Sequence, residues 1–175
     1  MSHLVPLMAH VIESMRYYFD TDESGKPVGG FTGPVQHRGG LLIPLDGFPE
    51  SPSDDDCATQ AFTNVLRQWR TTSFPAETGE VTPCGGKRAV LVQMGVARCS
   101  MAMDDDGNPP PPSRLEREAL VLLDDADRLY AAACRATRNA EDDDLIDSAV
   151  IHAWEPVGPQ GGILSGLLTV SFELS

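Results

Sequence analysis

The segment "ILSGLLTVSFEL", residues 163–174, constrains the fold more than any other stretch. Leu164, Leu168, Val170, Phe172 and Leu174 fall on one face, and Ser165, Thr169, Ser171 and Glu173 fall on the other. Strict period-two alternation belongs to a β-strand with one face buried. Such a strand needs partner strands and a second layer over its apolar side. The sequence must therefore supply both.

The covering layer is easiest to find. "SRLEREALVLLDDADRLYAAACRATR" carries the strongest helical signal in the chain and predicts a helix over about 114–137. Ser113 and Glu116 have capping-box spacing, and prolines precede them. Leu115, Leu122, Ala126, Leu129 and Ala133 form one apolar stripe. Acidic residues come early and Arg135 and Arg138 come late, as the helix dipole favours. A second amphipathic helix is expected near the start. Leu4, Leu7, Met8, Val11, Met15 and Tyr18 share a face there, with Ser2 or Pro6 at its beginning.

Three further strands are expected. "QAFTNVLRQWRTTSF" predicts one over about 60–73. "RAVLVQMGVARCSMA" predicts another over about 88–101, with Val90, Val92, Met94 and Val96 on one face. The loop between them makes an antiparallel hairpin the natural pairing. "AVIHAWE" predicts a strand before the turn-rich block 156–162. Residues 20–57 have frequent Gly and Pro and no sustained period, so they read as an extended arm or loop. "GGLLIPLD" is its one candidate strand, interrupted by Pro44. The expected fold is α+β: a four-stranded antiparallel sheet with a long helix packed on one face, plus an N-terminal helix and a long irregular arm. At 175 residues this is a single domain over 1–175, with the helix in 1–19, the arm in 20–57 and the sheet-plus-helix core in 58–175.

Charge narrows the function. With 26 acidic against 13 basic residues the net charge is −13, without the basic stripe of a dedicated nucleic-acid binder. The surface instead suits one that nucleic acid passes without sticking. Cys57, Cys84, Cys99 and Cys134 show no CxxC spacing, and the N-terminal segment lacks secretory-signal features. The expectation is a reducing cytoplasm with free, mostly buried thiols. No apolar run is long enough for a membrane span.

No chemistry emerges from the motifs. The runs Asp54–Asp56, Asp104–Asp106 and Asp142–Asp144 lack the alternating ligands and distal Glu of a calcium loop. His3, His10, His37 and His152 have no partner at metal-ligand or triad spacing, and His152 reads as a structural residue in a strand. Ser165 in "ILSGLL" lacks a nucleophile elbow, and "GPQGGILSG" lacks a following G-K-[ST] and opens a strand. Trp69 and Trp154 read as sheet-face residues. No catalytic, cofactor-binding or metal-ligating residue is assigned, and no cofactor is expected.

Several short motifs carry a resemblance. These are "FP" at 74–75, "PC" at 83–84, "ARC" at 97–99, "DDDGNPP" at 104–110 and "WEPVGPQGG" at 154–162. The order of helix, aspartate-rich exit, outgoing strand, Gly-rich turn and terminal strand accompanies them. In this the chain resembles the tail terminator proteins of long-tailed (siphovirus-type) bacteriophages, in particular those of actinobacteriophages, over roughly residues 57–175. The resemblance implies a structural virion protein and no enzyme. It implies a ring, expected to be a hexamer, that caps the head-proximal end of the tail tube in the virion neck. It would be assembled in the bacterial host cytoplasm. The implied partners are further copies of the chain, the tail tube protein and a head-to-tail connector or stopper protein, with DNA passing through the lumen. The arm would order on assembly, and the terminal strand's sheet edge or loops would meet a neighbour. Three other readings compete. A stopper or adaptor is expected to be a small barrel without the long helix. A tail tube subunit would share the sheet-plus-helix plan but polymerise into long tubes. A small hydrolase would use Cys84 or Cys99, although no His lies close in sequence.

Overall fold

A computed structural model describes residues 3–19, 25–31, 33–39, 59–77, 85–100, 109–160 and 162–175. The elements run α1 (Leu4–Phe19), β1 (Val35–His37), β2 (Gln60–Thr71), β3 (Lys87–Cys99), α2 (Pro112–Asp142), β4 (Ile146–Gln160) and β5 (Ile163–Leu174). Among the described residues the sheet has five strands in the order β1-β2-β3-β5-β4. β1 is parallel to β2, and the other pairs are antiparallel. The fold is α+β, as the periodicities predict. The four-stranded antiparallel expectation is corrected to a five-stranded mixed sheet. Strand β1, with three residues, is too short to leave a periodic signal, and it lies inside the stretch read as an arm. "GGLLIPLD" lies outside the described residues.

Both helices pack on one face of the sheet and against each other. On β3, Val90, Val92, Met94 and Val96 point into this layer, each at most 1% exposed. The register sets Val90 beside Phe172, Val92 beside Val170 and Met94 beside Leu168. The alternation of β5 thus continues across the neighbouring strand. From the helices come Leu7, Val11, Met15 and Phe19 of α1, and Leu129, Ala132, Ala133, Ala136 and Ala140 of α2. The alanines let α2 approach its neighbours closely. Phe19, which the helical pattern of α1 did not flag, also packs against Phe31, with ring centroids 5.7 Å apart.

Helix α2 departs from expectation at both ends. It starts at Pro112, and extended Pro111 is the N-cap, so Ser113 lies within the first turn and no side chain caps the helix. Proline at the first helical position needs no N–H partner, and it moves the start ahead of the Ser113–Glu116 pair. At the other end the helix continues to Asp142, which leaves no basic residue in its last turn. The run Asp142–Asp144 is therefore the helix exit. Asp144 takes the left-handed conformation at φ 55°, a position aspartate tolerates, and the Leu145 N–H donates back to the Ala140 carbonyl. The apolar stripe is rotated too. Nothing in α2 before Val121 is buried, so its first turns overhang the core, and Leu115 is 50% exposed.

The largest topological correction concerns the C-terminal pair. The block 156–162 is not one long turn, because β4 runs through Pro156 and Pro159 to Gln160. A strand at the edge of a sheet tolerates proline where the missing N–H would face away from its partner. Strand β5, read as a possible edge, instead lies between β3 and β4.

Part of the arm is built into the fold. The Arg38 N–H donates to the Thr63 carbonyl, extending the β1–β2 pairing. Gly33 passes so close to β2 that a Cβ there would lie 2.0 Å from the Thr59 carbonyl oxygen. The neighbour is backbone and cannot rotate away. Gly33→Ala should therefore lift residues 33–37 off β2 and cost about 1–3 kcal/mol. Faster hydrogen exchange at residues 35–37, with β3 and β5 still protected, is the expected readout. Unchanged exchange there would show that the contact relaxes without losing β1.

Candidate assembly interface

The sheet has two edges, and they differ. One is β1, of three residues; the other is β4, of fifteen. Among the described residues the outer side of β4 meets no strand. A long open edge invites pairing with another chain, and natural proteins blunt such edges with bulges and prolines. Strand β4 has both. Its register against β5 shifts between Ile146 and Ser148, between Ile151 and Trp154, and between Val157 and Gln160. Its prolines lie in the second half, so the segment 146–155 keeps its full set of N–H donors.

Helix α2 carries an exposed apolar surface. Leu115, Leu120, Leu123 and Tyr130 are 50%, 55%, 58% and 39% exposed. Leu120 and Leu123 lie one turn apart, and Tyr130 is two turns beyond Leu123 on the same side. The Tyr130 hydroxyl donates to the His152 carbonyl on β4 at 3.3 Å, which ties this side of the helix to the sheet edge. The His152 ring Nε2 is 2.8 Å from Ser171 Oγ, in keeping with its reading as a structural residue.

Two arginine clusters hold the root of the arm against α2. Arg98 on β3 makes a two-pronged ion pair with Asp125, with Nε to Oδ2 at 2.6 Å and Nη2 to Oδ1 at 2.8 Å. Its third nitrogen donates to the Gly30 carbonyl at 2.8 Å and to Thr59 Oγ1 at 3.1 Å. One turn further along α2, Arg128 pairs with Asp124 and donates to the carbonyls of Tyr18 and Lys26. Asp124 also accepts from the Val28 N–H at 2.9 Å. Residues 25–30 are thus fastened to α1, α2 and β3 through their backbone. Asp125 is fully buried, and burial pushes its carboxyl up against the lowering influence of Arg98. The local pattern did hold a signal for it, since Asp125 falls in line with Val121, Leu129 and Ala132 on the buried side of the helix.

A third charged group ties the chain's last residue to the start of β4. Lys87 Nζ donates to Asp147 and lies 3.8 Å from Glu173 Oε2, and the Ser175 hydroxyl donates to Asp147 Oδ1 at 2.9 Å. The Lys87 bond, then the Ser175 bond, hold the Asp147 carboxyl below its usual range. The same bond raises Lys87.

The residues weighed for chemistry do not converge. Cys99 is disulfide-bonded and Cys134 is a free, exposed thiol, which corrects the expectation of free, mostly buried thiols. Cys57 and Cys84 lie outside the described residues, as do the runs 54–56 and 104–106. His10 Nε2 is 2.9 Å from Asp143 Oδ2, while His37 Nδ1 meets Thr63 Oγ1 at 3.0 Å. Ser165 is buried in β5. Trp69 stacks under Arg67, 5.2 Å from the ring centre, and Trp154 lies over Gly166. Among the described residues no three His, Cys, Asp or Glu side chains are placed to hold a metal, and no helix is long and apolar enough to cross a membrane. No family model and no curated protein matches the chain.

Proposed function

We propose that this chain is a tail terminator of a long-tailed bacteriophage, a structural protein that closes into a ring on the head-proximal end of the tail tube and meets the head connector. The observation that carries an assembly role is the pairing of a long open edge, β4, with the exposed leucines and Tyr130 of α2 beside it. Exposed apolar residues next to an open strand mark a protein surface meant to be covered. The order of elements and the short motifs of residues 57–175 supply the phage reading. The 31-residue helix α2 weighs against a stopper built as a small barrel. The bulges and prolines of β4 favour a contact made by side chains over open-ended strand addition. The net charge of −13 suits a lumen through which DNA slides. Six copies, the tube protein and a connector protein are the partners of this reading, the virion neck is its place, and no catalytic role is assigned.

Negative-stain imaging of the purified protein tests the reading. Closed rings are expected. Long tubes would identify a tube subunit, and monomers at every concentration would remove both. Leu123→Glu adds a sharper arm. The side chain is 58% exposed, so the variant should keep its fold but lose its rings. Rings of normal size from that variant would move the interface away from α2.

A further inference from the structure

The groove between α1 and α2 opens into a depression of about 500 Å³ lined by Tyr17, Tyr18, Cys134, Arg135, Arg138 and Asn139. Its charge is unusual for this molecule. Carboxylates outnumber basic groups two to one, yet neither arginine pairs with a carboxylate among the described residues. Arg135 lies instead over the Tyr17 ring, 4.0 Å from its centre. That contact holds the guanidinium at the ring while the residue stays exposed, and an exposed guanidinium can grip a carboxylate with two bonds. Arg138 stands one turn further along the same helix and is exposed. Arg98 and Arg128, by contrast, are occupied by Asp125 and Asp124.

We infer that this groove is a docking site for a short acidic segment, and that its occupant is an aspartate run of a second copy of the chain. The charge balance selects the occupant. A nucleic-acid backbone is long and uniformly negative, and a chain of net charge −13 repels whatever extends beyond the two arginines. A run of three aspartates ends before that happens. The chain carries three such runs, at 54–56, 104–106 and 142–144. Copies that each bear a net charge of −13 repel one another, so a stable contact needs opposite charges placed together. A groove on one copy that takes a run from the next is a head-to-tail contact, the kind that closes rings. The identity of the occupant rests on the ring reading; the acidic specificity of the groove does not.

The test uses the full chain and three fluorescent peptides covering residues 51–58, 102–108 and 140–146, with a single-stranded DNA oligonucleotide as comparison. Fluorescence anisotropy at low salt should show at least one peptide binding, weakening as salt rises. Arg135→Ala/Arg138→Ala should weaken that binding about tenfold or more. Both positions are exposed, and circular dichroism checks that the variant is folded. Binding of none of the peptides, binding that the double variant keeps, or preference for the oligonucleotide overturns the site. The second-copy assignment has its own readout. Cys134 sits in the groove, so its alkylation, followed by peptide mapping, should be fast in dilute monomer and slow in rings. Rings that leave Cys134 equally reactive, or that form unchanged in the double variant, overturn the assignment while leaving the ring reading intact. Absence of rings from the unmodified protein counts against the ring reading and against a second copy as occupant, while peptide binding still decides the groove's specificity.

Discussion

Deletion of residues 164–175 is expected to leave a chain that does not fold. These residues form nearly all of β5, which lies between β3 and β4, so the cut removes the middle of the sheet. Leu168, Val170 and Phe172 are fully buried, and Leu174 is 4% exposed. Burial of each such side chain is worth about 1.5–3 kcal/mol. Four of them together rival the whole stability of an ordinary domain, about 5–15 kcal/mol. The loss does not stop at side chains. Strand β3 would lose its β5 partners from Arg88 to Arg98, and β4 would lose nearly all of its pairing with β5, the one strand it meets among the described residues. Orphaned backbone groups under an apolar layer cost further free energy. Loss of a cooperative thermal transition and of dispersed amide resonances is the expected result. A truncated chain that still melts cooperatively would place β5 outside the core.

Arg98→Ala is expected to destabilise the protein by about 3–5 kcal/mol at neutral pH, because it strands the buried Asp125 carboxylate without its partner. The deficit should depend on pH with a definite sign. Burial already raises the Asp125 carboxyl, and removing Arg98 removes the main influence that lowers it. A carboxyl whose folded value lies above its unfolded value takes up a proton on folding. Its favourable contribution is complete below the ordinary carboxylate range and is lost as pH rises through the folded value. Urea titrations of the variant at pH 5 and pH 7 should therefore show the smaller deficit at pH 5. The double change Arg98→Met/Asp125→Leu should recover most of the loss at both pH values, since a matched apolar pair leaves no buried charge. A single-variant deficit under about 1 kcal/mol, or one that ignores pH, would mean that water reaches Asp125. The change also frees the carbonyls of Gly29 and Gly30, so cleavage of the segment 25–31 by added protease should speed up.

The surface proposed for assembly is set up by the same features that hold the fold. Tyr130 joins the packed part of α2 to β4, and the Lys87–Asp147–Ser175 group fastens the start of β4 to the end of the chain. A neighbour seated on that edge would meet a strand held rigid at its start by charge and along its length by β5. The arginine clusters do the equivalent on the other side. They turn residues 25–30 from loose chain into a strap across α1 and α2.

By itself the sequence determined the parts of this protein that repeat with a fixed period. The alternation of residues 168–174 and 90–96 placed the central sheet face, because a strand's side chains must change sides at every residue. The spacing of Leu7, Val11 and Met15 and of Ala126, Leu129 and Ala133 did the same for the helices. Tertiary structure decided what has no period. Strand β1 exists only because β2 offers it a ladder, and three residues cannot announce that in advance. Strand β4 passes Pro156 and Pro159 because it lies on an edge, and edge position is a property of the whole sheet. The placing of β5 between β3 and β4 depends on which strands meet across distant parts of the chain, and local pattern does not encode that. Arg98 and Asp125 stand 27 residues apart, and no local pattern pairs them before β3 and α2 pack. Their burial comes from that contact, and so does the strap they hold. Leu115 belongs to the apolar stripe by its spacing, yet it faces outward because the first turns of α2 run past the core. Periodicity says which faces are apolar; only the packed layers say how far each face is covered.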